Sequence, residues 1–124
     1  MSIESLTAQL RAFAQERDWE QFHTPKNLIM ALSGETGELV SLFQWLQDDK
    51  VADWMRNPDN RTAVEHEIAD VFGYLLRLAD ILGIDLDDAL RAKIQVNGQK
   101  YPVELSRGNA TKYTNLGTEQ TVEG

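Results

Sequence analysis

The chain has 124 residues, no cysteine and a formal net charge of −8, from 20 acidic against 12 basic side chains. That length makes one ordinary domain. The missing cysteines exclude a disulfide framework, a thiol nucleophile and a cysteine-based zinc site, and the acidic balance argues against nonspecific binding to DNA or RNA. The apolar fraction of 42% is that of a globular protein rather than a disordered one. No apolar run approaches the roughly 18 residues that cross a bilayer. Met1-Ser2-Ile3-Glu4-Ser5 has no basic region leading into an apolar one, so a cytoplasmic protein without signal peptide or membrane partner is expected.

Helical periodicity dominates the pattern. A first segment spans about Ser2 to Asp18, with Ile3, Leu6, Leu10 and Phe13 stepping by helical intervals. A second opens at Thr24-Pro25, a capping residue followed by proline at the first helical position. It carries Leu28, Leu32, Leu39, Leu42 and Leu46 on one face. The stretch Gln47 to Arg61 is polar, with room for a short helix around Val51–Arg56, and Asn57-Pro58-Asp59 is expected to break it. A third long helix is expected to start at Thr62, with Glu65 completing a capping box. Val64, Ile68, Val71, Leu75, Leu78 and Leu82 form its stripe, and Gly83 closes it. A fourth runs from near Asp85 to Tyr101-Pro102, grouping Leu86, Leu90 and Ile94. Residues 103–124 are poor in large apolar side chains and read as an arm or tail.

Strand alternation and internal repeats are absent. The expectation is therefore an all-α fold, most simply a four-helix bundle. Its second and third long helices should bury further area against another subunit.

The chemistry lies in the carboxylates. At about 100° per residue, Glu35 falls in the middle of the Leu28/Leu32/Leu39/Leu42 stripe, and Glu38 lies at its edge. Glu67 and Asp70 flank the stripe of the third long helix, with Tyr74 one turn further on. An ionised carboxylate in an apolar stripe is costly unless paired or bound to a metal. If the two helices pack together, four carboxylates converge, and oxygen-only ligands suit Mg²⁺ or Mn²⁺. A di-iron centre would need Glu-x-x-His motifs. His66 adjoins Glu67 and His23 precedes the second helix, so that spacing is missing. Gly34, Gly37 and Gly73 sit inside helical segments, each costing about 1 kcal/mol relative to alanine. They suggest close approach of a ligand or partner helix, or tight helix packing.

Glu35-x-x-Glu38, 28 intervening residues and Glu67-x-x-Asp70 resemble the metal-binding signature of the all-α MazG-like nucleoside triphosphate pyrophosphohydrolases. The wider match resembles the dCTP pyrophosphatase branch. It rests on Glu16 through His23, Gly34-Glu35-Thr36-Gly37-Glu38-Leu39, Leu42-Phe43-Gln44-Trp45, Glu67 through Val71 and Lys93 through Tyr101-Pro102. The resemblance extends from about Phe13 to Gly108, so residues 1–108 are expected to form the family domain and 109–124 its C-terminal arm.

The resemblance implies Mg²⁺-dependent hydrolysis of a deoxynucleoside triphosphate to monophosphate and pyrophosphate, in a homo-oligomer (tetramer or dimer) whose subunits share active sites. Glu35, Glu38, Glu67 and Asp70 would hold the metal. Lys93, Asn97 and Lys100 match a segment that contacts phosphate. Trp19, His23, Trp45 and Tyr74 match residues lining a base pocket, with Trp54 left to packing. The favoured substrate is dCTP or a base-modified dCTP. A broader nucleotide preference, or a non-catalytic helical interaction module, is the alternative.

Overall fold

The computed structural model describes residues 2–116. Residues 117–124, part of the expected arm, lie outside the described residues. Among the described residues every regular element is helical, as expected. Six α-helices are present rather than four: α1 (Ile3–Glu16), α2 (Pro25–Phe43), α3 (Val51–Met55), α4 (Pro58–Leu82), α5 (Leu86–Lys100) and α6 (Val103–Ser106). The two extra helices are short, and α3 coincides with the helix expected near Val51.

The chain divides into two compact units at Ile84/Asp85. In the first, α4 packs chiefly on α2 and also against α1 and α3. In the second, α5 is followed by α6 and a 3₁₀ turn at Tyr113–Asn115, whose Tyr113 ring meets Tyr101 edge-on at 6.0 Å.

Local chemistry sets the helix ends. The Thr24 hydroxyl accepts from Asn27 N–H at 3.2 Å, and Pro25 fills the first helical position, as the sequence predicts. Gly83 ends α4 with φ 68°, the left-handed cap that glycine adopts without a Cβ penalty.

The start of α4 differs from expectation. Asn57-Pro58-Asp59 does end the stretch that holds α3, but it also begins the long helix, which starts at Pro58 rather than Thr62. Asn57 accepts from Asp59 N–H at 2.9 Å, and Pro58 occupies the position where no N–H is needed. Thr62 and Glu65 are therefore interior, and Glu65 pairs with Arg61 at 3.1 Å rather than closing a capping box. At the other end of its stretch, α2 stops at Phe43, short of Leu46. Trp54 packs as expected, its ring 5.5 Å from Phe43.

The core of the first unit is small: Ala14, Leu28, Val64, Leu76 and Ala79 are buried. Ile68, Leu75 and Leu82 of the expected α4 stripe are exposed instead. Because α1 as well as α2 packs on α4, burial in its C-terminal half turns toward Leu76 and Ala79. This leaves α4 apolar on two sides.

Leu28, only 1% exposed, is the large side chain sealed at the centre of this core. Leu28→Ala should remove about 2–5 kcal/mol of stability, as other leucine truncations in closed cores do. Equilibrium denaturation by urea would measure the loss.

Candidate active site

The segment between α1 and α2 is shaped by a Schellman turn. Asp18 adopts φ 55°, Trp19 N–H donates back to Ala14 C=O at 2.9 Å, and Asp18 N–H donates to Gln15 C=O at 3.1 Å. The turn brings Trp19 edge-on to Phe13 at 5.8 Å and to His23 at 6.3 Å. Asn27 Nδ2 donates to Phe22 C=O at 3.1 Å and anchors the far end of the segment to α2.

The seam between α2 and α4 holds the acidic residues. Glu35, Glu67 and Asp70 each offer an oxygen, and these atoms lie within 4.8 Å of one another. Glu35 titrates above its ordinary value, first through a hydrogen bond with Glu67, then through burial and the charges of Asp70, Glu67 and Glu38. Glu67 Oε2 is buried with no hydrogen-bond partner. An orphaned buried carboxylate oxygen is an expensive arrangement that a cation would relieve. The donor set is oxygen only, which fits a hard divalent ion. The fourth expected member, Glu38, stays exposed and outside this close set, acting on Glu35 through its charge alone.

The acidic seam opens into a cleft of about 330 Å³. Glu35 and Asp70 line it together with Trp19, His23, Tyr74, Phe13 and Arg77. Carboxylates and flat rings thus share one cavity, large enough for a small ligand. Gly73 also faces it, and a Cβ on Gly34, Gly37 or Gly73 would meet nothing within 4 Å. Tight packing inside one chain therefore does not account for these glycines.

Within the first unit, one expected base-pocket residue stands apart from the cleft. Trp45, just beyond α2, is 88% exposed and is not among the residues lining it. Lys93, Asn97 and Lys100 belong to α5 of the second unit, within which the Lys100 ammonium stands 4.6 Å above the Tyr113 ring. Sequence reasoning passed over Arg77. The signal was available: an arginine inside the run Leu75-Leu76-Arg77-Leu78-Ala79 must have its charge answered.

Fold and site define an all-helical protein with an acidic cluster at a helix seam, and residues 30–116 match the MazG-like family model. The chain belongs to this family. It is 44% identical to dCTP pyrophosphatase 1 of Bos taurus over 98% of its length and 72% of that protein's. It is 47% identical to dCTP pyrophosphatase 1 of Mus musculus, covering 93% of this chain and 68% of the relative. Among solved structures, a pyrophosphatase from Archaeoglobus fulgidus superposes with a TM-score of 0.75 at 40% identity, covering 80% of this chain and 91% of the other.

The raised Glu35 value has a definite sign for stability. The folded metal-free protein holds this proton more tightly than the unfolded chain does, so the contribution is complete below the ordinary value of 4.5 and lost as pH rises through the raised one. Thermal melts of wild type and Glu35→Gln across this range should show the wild type losing stability relative to the variant as pH rises. Adding a divalent cation at neutral pH should restore it.

Proposed function

We propose that the protein is a Mg²⁺-dependent pyrophosphohydrolase that converts dCTP, or a base-modified dCTP, to dCMP and pyrophosphate and so cleans the nucleotide pool. One observation carries this reading: the cleft joins a carboxylate cluster to the flat faces of Trp19, Tyr74 and His23. A nucleotide needs both, one for its phosphates and one for its base. The names and identities of the relatives point to the same substrate.

Glu35, Glu38, Glu67 and Asp70 would hold the cation. Mn²⁺ would suit the same oxygen donors. Bound there, the ion would neutralise phosphate charge and polarise phosphorus. One carboxylate of the set takes the proton from the water that attacks the α-phosphorus. Trp19 and Tyr74 stack on the base while His23 meets its edge. Lys93, Asn97 and Lys100 bind phosphate oxygens. Residues 1–108 act as the family domain, in the cytoplasm.

The protein works as a homo-oligomer, a tetramer or dimer. Ile29, Met30 and Val40 of α2 and Ile68, Phe72 and Leu75 of α4 are exposed large apolar side chains on the two helices that carry the carboxylates. A second copy would cover them. Trp45, exposed on one chain, then serves a base pocket across the subunit boundary.

Three measurements test this reading. Asp70→Asn should abolish most pyrophosphate release while leaving the helical circular dichroism intact, and excess chelator should do the same to wild type. In ¹⁸O-labelled water the label should enter the nucleoside monophosphate. Label confined to pyrophosphate would exclude attack at the α-phosphorus. Trp45→Ala should weaken dCTP by about 1–3 kcal/mol, the value of one base-stacking platform. Its melting temperature should hold, and metal affinity should not change. Equal damage toward dCTP, dTTP and dATP with a collapsed melting temperature would sink the stacking role.

A further inference from the structure

Arg77 is 5% exposed, yet it sits in the wall of the cleft with its charge answered on one side and used on the other. Its Nη1 donates to Asp80 Oδ2 at 2.9 Å, one turn along α4. Asp80 accepts two more hydrogen bonds from Arg11 of α1, at 2.9 and 2.6 Å. These contacts hold the Asp80 carboxyl below its ordinary titration range, the Arg11 bond first among them. On its other side Arg77 Nε donates to His23 Nδ1 at 3.1 Å.

That last bond dictates the state of the imidazole. A guanidinium carries donors only and does not give up its proton in a protein. Nδ1 of His23 must therefore present its lone pair, and a neutral ring then carries its hydrogen on Nε2. Burial, and after it the Arg77 charge, keep His23 below its ordinary value of 6.5, so the ring is neutral at pH 7.

We infer that Arg77 is a positioning residue that determines specificity. It locks His23 in the Nε2–H tautomer, so His23 offers the base edge a hydrogen-bond donor and no acceptor. The inference rests on the reading of the cleft as a base pocket. It selects bases that turn an unprotonated ring nitrogen or a carbonyl oxygen toward His23, as cytosine can with N3 or O2. A base presenting an N–H there sets donor against donor and leaves both unpaired.

The test uses the full-length protein, ¹⁵N-labelled, with the two imidazoles assigned through a His66→Gln variant. Long-range ¹H–¹⁵N correlation at neutral pH should show His23 protonated on Nε2 alone. Arg77→Met leaves the Asp80–Arg11 pair in place but removes the guanidinium, and with it both the Nε donor to His23 and the Nη1 donor to Asp80. It should produce a mixture of tautomers and raise KM for dCTP about tenfold, with kcat kept within about twofold, the pattern of lost ground-state binding. His23→Gln, whose amide can accept from Arg77 and still donate to the base, should keep KM near the wild-type value. His23→Phe, with no polar atom, should match the tenfold loss.

A His23 ring protonated on Nδ1 in wild type overturns the inference, as does a folded Arg77→Met with unchanged KM. If Arg77→Met does not fold, the wild-type spectrum and the Gln/Phe pair decide, and equal losses in that pair overturn the inference. If His23→Phe leaves KM unchanged, the base-pocket reading itself falls, and the specificity role falls with it, even where the spectrum shows Nε2–H.

Discussion

Carboxylates at the α2–α4 seam are the constraint to which the first unit is built. Negative charge gathered in one place repels itself, and burial removes the water that would screen it. The molecule shows both symptoms, in the upward shift of the Glu35 carboxyl and in the unpartnered Glu67 Oε2. Packing of α2 on α4 holds these groups together against that repulsion, and it is the most extensive helix contact of the unit. The proposed cation would offset that repulsion, because carboxylates already held close together lose little order on capturing an ion.

A second charged assembly lies behind the aromatic wall. Arg11, Asp80, Arg77 and His23 link α1, α4 and the segment ahead of α2 through consecutive hydrogen bonds. A buried arginine is stable only when its donors are engaged. Asp80 answers its charge, and His23 takes a donor that a neutral imidazole can accept. Stability and the proposed recognition meet here, since the partner that completes the burial of Arg77 is also a residue of the cleft.

Seen as one chain, the first unit carries more apolar surface than it covers. Leu28, Val64, Leu76 and Ala79 make its core, while Ile68, Phe72 and Leu75 stand exposed on the same helix that supplies Glu67 and Asp70. A helix apolar on two sides belongs between two layers. The proposed assembly supplies the second layer. It also gives the helical glycines a purpose, since no neighbour within the chain comes close enough to require them.

Much of this was legible in the residues. Helical class, the Thr24-Pro25 start and the Gly83 stop follow from short-range chemistry, which depends only on neighbours along the chain. Glu35 was identifiable because a charge in the middle of an apolar stripe conflicts with its surroundings, and a single helix period exposes that conflict. The resemblance supplied the family. Tertiary structure decided what periodicity averages over. The break at Asn57-Pro58-Asp59 was legible, but the side-chain cap on Asp59 N–H makes it the start of a helix as well. A helix wheel places Ile68 and Leu75 on the same stripe as Val64, but the position of α1 sets which part of that stripe is buried. Periodicity places Glu38 at the edge of the stripe and the motif groups it with the other three carboxylates, whereas in the fold the close set is Glu35, Glu67 and Asp70. The Arg77–His23 bond spans 54 residues and appears once the turn at Asp18 has folded the α1–α2 segment back against α4. Long-range contacts of that kind depend on how helices cross, and no local rule carries that information.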